Sequence, residues 1–172
     1  MENIDRALST IARLRQSVTS PNVAVECFSG SGRWSSALRR LGWIVIELDI
    51  AHGCDLLNRG TLMKLRGAMA AGYIDAIHFG TPCSSFSSAR GLPNGPPALR
   101  SHLFPDGLPN LSENDQKKVI LGNACARATA SLALTALRFR IPGSIENHVL
   151  QSYGFLLPYH VCFVSPPSDR QL

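Results

Sequence analysis

The chain has 172 residues, of which 45% are hydrophobic and 17% are charged. This length suits one compact domain, 1–172, and the apolar content excludes a disordered tail. The longest apolar stretch, residues 128–137, is about half of what a membrane-spanning helix needs, so we predict a soluble protein with no membrane partner. The net charge of +5 rests on 14 arginines among 17 basic residues, against 12 acids. An arginine excess favours contacts with phosphate or carboxylate groups, which points to nucleic acid as a partner.

The predicted elements alternate between helices and strands. An amphipathic helix is predicted at residues 3–16, within an N-terminal segment 1–20. Short apolar runs predict strands at 23–25, 44–46, 76–79, 141–145 and 159–164. Further helices are predicted at 34–41, 57–71 and 114–138, the last with Leu132, Leu134 and Leu137 as a buried stripe. Residues 84–113, rich in proline, glycine and serine, predict a long irregular loop. Together these elements predict an α/β protein with a mostly parallel sheet and helices on both faces.

Five cysteines occur at positions 27, 54, 83, 125 and 162, an odd number with no C-x-x-C pair. No apolar segment leads the chain as a secretion signal would. These features predict reduced thiols, no disulfide framework and no metal site. We therefore expect an intracellular protein, in the cytoplasm or the nucleus, whose cysteines are mostly small buried apolar residues, with one available as a reactive group.

Acidic residues cluster where the predicted strands end. Ligands of parallel sheets bind at the carboxyl ends of the strands. The acids at or just past those ends are Glu26, Glu47, Asp49, Asp55 and Glu146. Because acids are scarce in this chain, their concentration at one edge predicts a binding site there.

A glycine turn follows the first strand and precedes a helix. Gly30 and Gly32 allow a tight turn and close approach of a ligand, and the helix start offers unpaired N–H groups. Glu47, at the end of the next strand, is placed to bind ribose hydroxyls, as in dinucleotide-binding folds. Ser35 replaces the third glycine of G-x-G-x-x-G, so nicotinamide, flavin and S-adenosylmethionine all remain open as ligands. Glu26 beside the turn suits S-adenosylmethionine better than a pyrophosphate.

A cysteine follows the third strand, in the pair Pro82-Cys83. A thiol at the ligand-binding edge of the sheet can act as a nucleophile if hydroxyls, N–H groups or a cation help it to lose its proton. Glu146 and Asn147 close the next strand at the same edge. A carboxyl group is therefore expected across the pocket from the thiol.

Five short motifs occur in order along residues 23–147. They are Glu26-Cys27-Phe28-Ser29-Gly30-Ser31-Gly32, Glu47-Leu48-Asp49, Gly53-Cys54-Asp55-Leu56, Gly80-Thr81-Pro82-Cys83-Ser84-Ser85-Phe86-Ser87 and Ile145-Glu146-Asn147. This series resembles the cytosine-C5 DNA methyltransferase family. The resemblance implies a Rossmann-like, S-adenosylmethionine-dependent methyltransferase fold with S-adenosylmethionine as cofactor. It also implies methyl transfer to C5 of cytosine, in DNA or, as a close second, in RNA.

The resemblance assigns roles to individual residues. The cofactor-binding residues it implies are Phe28, Gly30, Gly32, Glu47 and Asp55. The catalytic residues it implies are Cys83, which adds to C6 of a flipped-out cytosine, and Glu146, which holds N3. The substrate contacts we expect are Pro82, Ser87 and Asn147, together with Arg90 and Arg100 in the loop 84–113, which would close over the base.

The chain departs from the family pattern at three positions. Arg33 replaces the second glycine of the turn, Ser84 stands where glutamine usually follows Pro-Cys, and His148 replaces the valine after Glu-Asn. The family's arginine motif, target-recognition region and closing Gly-Asn segment would all lie further along. We therefore expect a minimal or truncated member, for which a partner chain is one source of target recognition. A non-catalytic fragment that binds S-adenosylmethionine or nucleic acid, and an NAD-dependent oxidoreductase, remain the alternatives.

Overall fold

The computed structural model describes residues 2–15, 21–87, 89–146 and 160–163. The helices in these ranges are α1 (Glu2–Leu14), α2 (Arg33–Arg40), α3 (Arg59–Ala70) and α4 (Glu113–Arg138). The strands are β1 (Val23–Cys27), β2 (Ile44–Leu48), β3 (Ala76–Phe79), β4 (Gly143–Glu146) and β5 (His160–Phe163). A short 3₁₀ helix, Ile50–His52, follows β2. The predicted order of helices and strands is therefore confirmed.

The five strands form one sheet in the order β2-β1-β3-β4-β5. β1 pairs in parallel with β2 and with β3, and β3 pairs in parallel with β4. β5 runs antiparallel to β4. This arrangement confirms the α/β class with a mostly parallel sheet. The carboxyl ends of the four parallel strands meet at one edge, where ligands bind in such sheets.

One face of the sheet is apolar. Val25 of β1 packs there with Ile77 and Phe79 of β3, in a cluster that includes buried residues of α1, α3 and α4. Leu132 of α4 is fully buried in this cluster. Burial of large apolar side chains is the main favourable term in folding, so this face holds the domain together.

The opposite face carries α2 and a row of polar side chains. Glu47, Glu26, His78 and Ser144 stand at one register on β2, β1, β3 and β4. Strands buried on both faces of a parallel sheet are normally apolar throughout, so this row is unusual. α2 covers the row at the β2 side, where Arg39 forms an ion pair with Glu47. Helices therefore lie on both faces, as predicted.

The long predicted loop occupies residues 84–112, and its described part contains no helix or strand. The loop packs onto the domain, because Phe86 and Leu99 are buried. Ser112 ends the loop, since its Oγ accepts a hydrogen bond from the N–H of Asp115 at 3.2 Å and so caps α4.

The buried stripe predicted along α4 is partly wrong. Leu132 is buried, but Leu134 and Leu137 are 67% and 42% exposed. Each residue turns about 100° around a helix, so a buried face through Leu132 and Ala136 leaves Leu134 on the far side. By length and composition α4 could also span a membrane, but the same test is passed by core helices, and its buried face belongs to the apolar cluster.

Candidate functional site

A cleft of about 380 Å³ opens on the polar face of the sheet, where β1 and β3 end and α2 begins. Five of the predicted site residues line it. They are Phe28, Gly30, Pro82, Cys83 and Glu146. The structure thus brings together the predicted nucleophile, the predicted carboxyl partner and part of the glycine turn.

The turn after β1 has a backbone that glycine normally supplies. Gly30 and Gly32 have φ of 51° and 63°, and Phe28 shares this left-handed conformation with φ of 56°. A residue other than glycine held there costs on the order of 1 kcal/mol, and such positions concentrate at binding sites. The N–H of Phe28 donates to Leu48 O at 2.8 Å, which fixes the turn against β2. The strained Phe28 therefore supports a binding role for this cleft.

Gly80 sets the spacing between the ends of β1 and β3. Its N–H donates to Cys27 O at 2.9 Å, and a Cβ on Gly80 would stand 2.7 Å from Phe28 O. Any side chain there would push the two strand ends apart. This close approach is what puts Pro82 and Cys83 beside the glycine turn.

The segment that carries Cys83 is held at both ends. Before it, Thr81 Oγ1 and Thr129 Oγ1 of α4 share a hydrogen bond of 2.7 Å, and both residues are buried. After it, the N–H of Phe86 donates to Cys83 O at 2.8 Å. The thiol therefore has a fixed place at the cleft.

Cys83 differs in accessibility from the other cysteines that the structure describes. It is partly exposed, whereas Cys27, Cys54 and Cys125 are buried. Burial raises the pKa of each of these three thiols above its ordinary value of 9.0, and for Cys27 the nearby Cys54 and Glu26 add to the effect. Protonated thiols are poor nucleophiles, so we interpret these three as structural.

Further polar groups reach the cleft from β1, from the turn that follows it and from the start of α2. Glu26 is 4% exposed, and its carboxylate accepts hydrogen bonds from Ser35 N at 2.9 Å and from Ser35 Oγ. Ser29 also lines the cleft, and its buried Oγ has no hydrogen-bond partner among the described residues. Arg33, noted in the sequence only as a departure, lines the cleft too. An unpaired buried hydroxyl is costly, so Ser29 offers a group that a bound ligand can satisfy.

One buried histidine at the cleft, His78, was not predicted from the sequence as a site residue. The His78 ring stacks on Trp34 with 5.0 Å between ring centroids and 17° between planes. His78 Nδ1 lies 2.7 Å from Ser144 Oγ, and Nε2 lies 4.0 Å from Glu146 Oε2. The sequence did carry a signal, because this histidine interrupts the apolar run of a strand that was expected to be buried on both faces.

Three predicted cofactor residues, Gly32, Glu47 and Asp55, are not among the residues that line the cleft. Glu47 stands within β2, which extends beyond its predicted end, and its carboxylate pairs with Arg39 at 2.5 Å. Gly32 packs against that carboxylate, since a Cβ on Gly32 would lie 3.1 Å from Glu47 Oε1. Asp55 is exposed, accepts a hydrogen bond from Leu57 N at 2.8 Å, and borders a separate cavity of about 220 Å³. Cofactor contacts by these three residues stay predictions.

Arg100 fixes the loop instead of facing the cleft. Its guanidinium stacks on Phe86 at 3.6 Å from the ring centroid. Arg100 Nη1 donates to Pro105 O at 2.5 Å and to Asn123 Oδ1 of α4 at 2.7 Å. Arg100 does not line the cleft, and a contact between Arg100 and substrate stays a prediction.

The other predicted substrate contacts on the loop also bond within it. Arg90 Nε donates to Ser84 O at 2.7 Å, and Arg90 Nη1 donates to Pro97 O at 3.0 Å. Ser87 Oγ accepts a hydrogen bond from the backbone N–H two residues later, at 3.3 Å. Neither Arg90 nor Ser87 lines the cleft. Asn147 lies outside the described residues.

Fold and site together define a class: an α/β protein whose sheet edge carries a strained turn, a partly exposed thiol and a carboxyl group around one cleft. Within the described ranges, no group of three or more His, Cys, Asp or Glu side chains could hold a metal ion. Comparison of the chain with protein-family models, with curated proteins and with solved structures gave no match.

Proposed function

We propose that this protein transfers a methyl group from S-adenosylmethionine to C5 of cytosine in nucleic acid, with DNA favoured over RNA. The observation that carries the proposal is that Cys83, in the segment after β3, and Glu146, at the end of β4, line the same cleft as the glycine turn. A thiol and a carboxyl group are the two side chains that addition to a pyrimidine ring requires. Hydride transfer to or from a nicotinamide requires neither.

The cleft suits part of S-adenosylmethionine. The cofactor supplies, when bound, a methyl group on a positively charged sulfur. Phe28 and Gly30 offer a turn that a ligand can approach closely, and the unpartnered Oγ of Ser29 can satisfy a polar group of the cofactor. The carboxylate of Glu26 favours a positively charged ligand. The proposal therefore assigns cofactor binding to the turn after β1.

The chain's own side chains account for the ring chemistry. C5 of cytosine is a weak nucleophile until a thiolate adds to C6. The Cys83 thiolate forms the S–C6 bond, the electron pair of the C5=C6 bond shifts to form C4=C5, and the pair of the C4=N3 bond moves onto N3. Glu146 gives its proton to N3, so that negative charge does not accumulate there. Once C5 carries the methyl group, a base removes the C5 proton, the C5=C6 double bond re-forms, the S–C6 bond breaks and N3 returns its proton to Glu146. Because a duplex shields C5 and C6, the cytosine must first be flipped out.

Cytosine with fluorine at C5 tests this proposal, because it has no C5 proton to lose and the thiol stays attached. The protein is incubated with S-adenosylmethionine and with DNA or RNA that contains 5-fluorocytosine. We expect an adduct that survives denaturing electrophoresis, that disappears in Cys83→Ser and that persists in Cys125→Ser, where a buried thiol is replaced. Failure of the wild-type protein to form an adduct on both DNA and RNA would overturn the proposal.

The second candidate function is binding of the cofactor or of nucleic acid without catalysis. It is favoured by Arg100, whose guanidinium bonds to α4 and the loop rather than lining the cleft. Calorimetric titration with S-adenosylmethionine and with NAD separates the candidates. Binding of S-adenosylmethionine without an adduct would favour this second function, and binding of NAD alone would favour an oxidoreductase.

A further inference from the structure

His78 lies in the middle of the polar face, between two other polar residues of the sheet. Its neighbours in register are Glu26 on β1 and Ser144 on β4. A histidine that is 4% exposed needs hydrogen-bond partners for its ring nitrogens, because unpaired buried polar groups are costly. Ser144 meets Nδ1, and Nε2 faces Glu146. The His78 ring thus lines the cleft beside the proposed catalytic carboxyl group of Glu146.

The side chains of His78 and Glu146 differ in exposure. The His78 side chain is 5% exposed and stacked on Trp34, whereas the Glu146 side chain is 64% exposed. The imidazole is therefore the fixed member of the pair and the carboxyl group is the one that can turn. At 4.0 Å the two atoms are too far apart for a hydrogen bond, and a rotation of the exposed side chain can close that gap.

We propose that His78 is a positioning residue that holds the Glu146 carboxyl group through its Nε2–H. This inference rests on the proposed function, in which Glu146 gives a proton to N3 and becomes a carboxylate. A carboxylate only accepts hydrogen bonds, so the ring must present an N–H to it. In a neutral imidazole Nδ1 is then an acceptor, and the Ser144 hydroxyl donates to it. His78 keeps its proton throughout, and Glu146 recovers its own from N3 when the S–C6 bond breaks.

The other titratable groups at the cleft have different neighbours. Glu26 comes from β1, Arg33 from α2 and Cys83 from the segment after β3. The Glu26 carboxylate accepts two hydrogen bonds from Ser35, which directs it toward α2. Glu146 shares β4 with the serine that fixes the His78 ring, which makes it the carboxyl group that His78 is placed to hold.

Two substitutions of His78 distinguish the role of Nε2 from that of Nδ1. Glutamine places its amide nitrogen near the position of Nε2, whereas asparagine places its own near Nδ1. We expect His78→Gln to form the 5-fluorocytosine adduct within about threefold of the wild-type rate, and His78→Asn to slow it about tenfold or more at saturating nucleic acid. The nucleic acid concentration at half-saturation should not change. Equal rates in the two variants, whether both slow or both like wild type, would overturn the inference.

A spectroscopic measurement tests the ring independently of activity. Nitrogen-15 NMR of histidine-labelled protein reports which nitrogen is protonated, and His78→Gln identifies the His78 signal among the five histidines. We expect Nε2 protonated and Nδ1 unprotonated at neutral pH, with a mixture of tautomers in Ser144→Ala. The opposite tautomer in the wild-type protein contradicts the inference. If the wild-type protein forms no adduct, the proposed function fails, and the tautomer still decides the arrangement at His78.

Discussion

The two faces of the sheet differ in chemistry although the same strands build them. In β3, Ile77 and Phe79 enter the apolar cluster beneath α1, α3 and α4, whereas His78 between them joins the polar row on the α2 side. Side chains alternate along a strand, so neighbours in sequence serve opposite faces. The residues that stabilise the fold and the residues that line the candidate site therefore lie on opposite faces of one sheet. Substitutions on the apolar face should change unfolding, and those on the polar face should also change the cleft.

The largest effect is expected at the centre of the apolar face. Leu132→Ala removes a fully buried side chain from the core cluster and should lower the free energy of unfolding by about 2–5 kcal/mol. Leu134→Ala, two residues further along α4 and 67% exposed, should change it by no more than about 0.5 kcal/mol. Urea denaturation followed by circular dichroism measures both. Similar losses in the two variants would contradict the assigned buried face of α4.

On the polar face, the stability of the protein should depend on the buried hydrogen bond from Ser35 Oγ to Glu26. Ser35→Ala removes the hydroxyl that donates to the Glu26 carboxylate and leaves the backbone N–H as its remaining donor from this residue. Because that carboxylate is buried, we expect a loss of about 1–3 kcal/mol in the free energy of unfolding. Ser36→Ala, on the exposed side of α2, is the matched control and should be nearly neutral. A neutral Ser35→Ala would mean that Glu26 does not need this partner.

The side of α4 that faces the loop 84–112 is also closely packed. A Cβ on Gly122 would overlap Ser85 Oγ and lie 3.1 Å from Phe86 Cε2. Gly122→Ala should therefore displace the loop at a cost of about 1–3 kcal/mol. In α3, a Cβ on Gly67 meets nothing within 4 Å, so Gly67→Ala should stabilise the protein by about 0.5–1 kcal/mol.

Limited proteolysis distinguishes these two glycine variants. Cleavage within the loop 84–112 should become faster in Gly122→Ala and stay at the wild-type rate in Gly67→Ala. Unchanged cleavage in Gly122→Ala would show that the loop does not depend on its close approach to α4.

Local signals in the sequence predicted the parts of the site that depend on one segment. The glycine turn follows β1 directly and Cys83 comes four residues after the end of β3, so their place at the sheet edge could be predicted. Contacts between distant segments could not. His78 meets Ser144 across 66 positions and Arg100 meets Asn123 across 23, and nothing in either local pattern reveals its partner. The contacts of Arg100 within the loop and with α4 could not be predicted for that reason.

An effect that is confined to high pH is expected from the buried thiol of Cys27. Burial, then the nearby Cys54 and Glu26, raise the pKa of Cys27 above its ordinary value of 9.0. The unfolded chain therefore releases this proton as pH rises above 9.0, while the folded protein keeps it. The free energy of unfolding should fall by up to about 1.4 kcal/mol per pH unit for this thiol. Below that pH both states hold the proton, and the contribution disappears.

Unfolding free energies at two pH values, one below and one above the ordinary thiol pKa, isolate this effect. Cys27→Ala should reduce the difference between the two pH values by about 1 kcal/mol. Val25→Ala, on the same strand and the same apolar face, removes buried volume without a titratable group, so it should lower stability equally at both pH values. An unchanged pH difference in Cys27→Ala would mean that this thiol ionises alike in the folded and unfolded states. It would also remove the reason for treating Cys27 as inert beside Cys83.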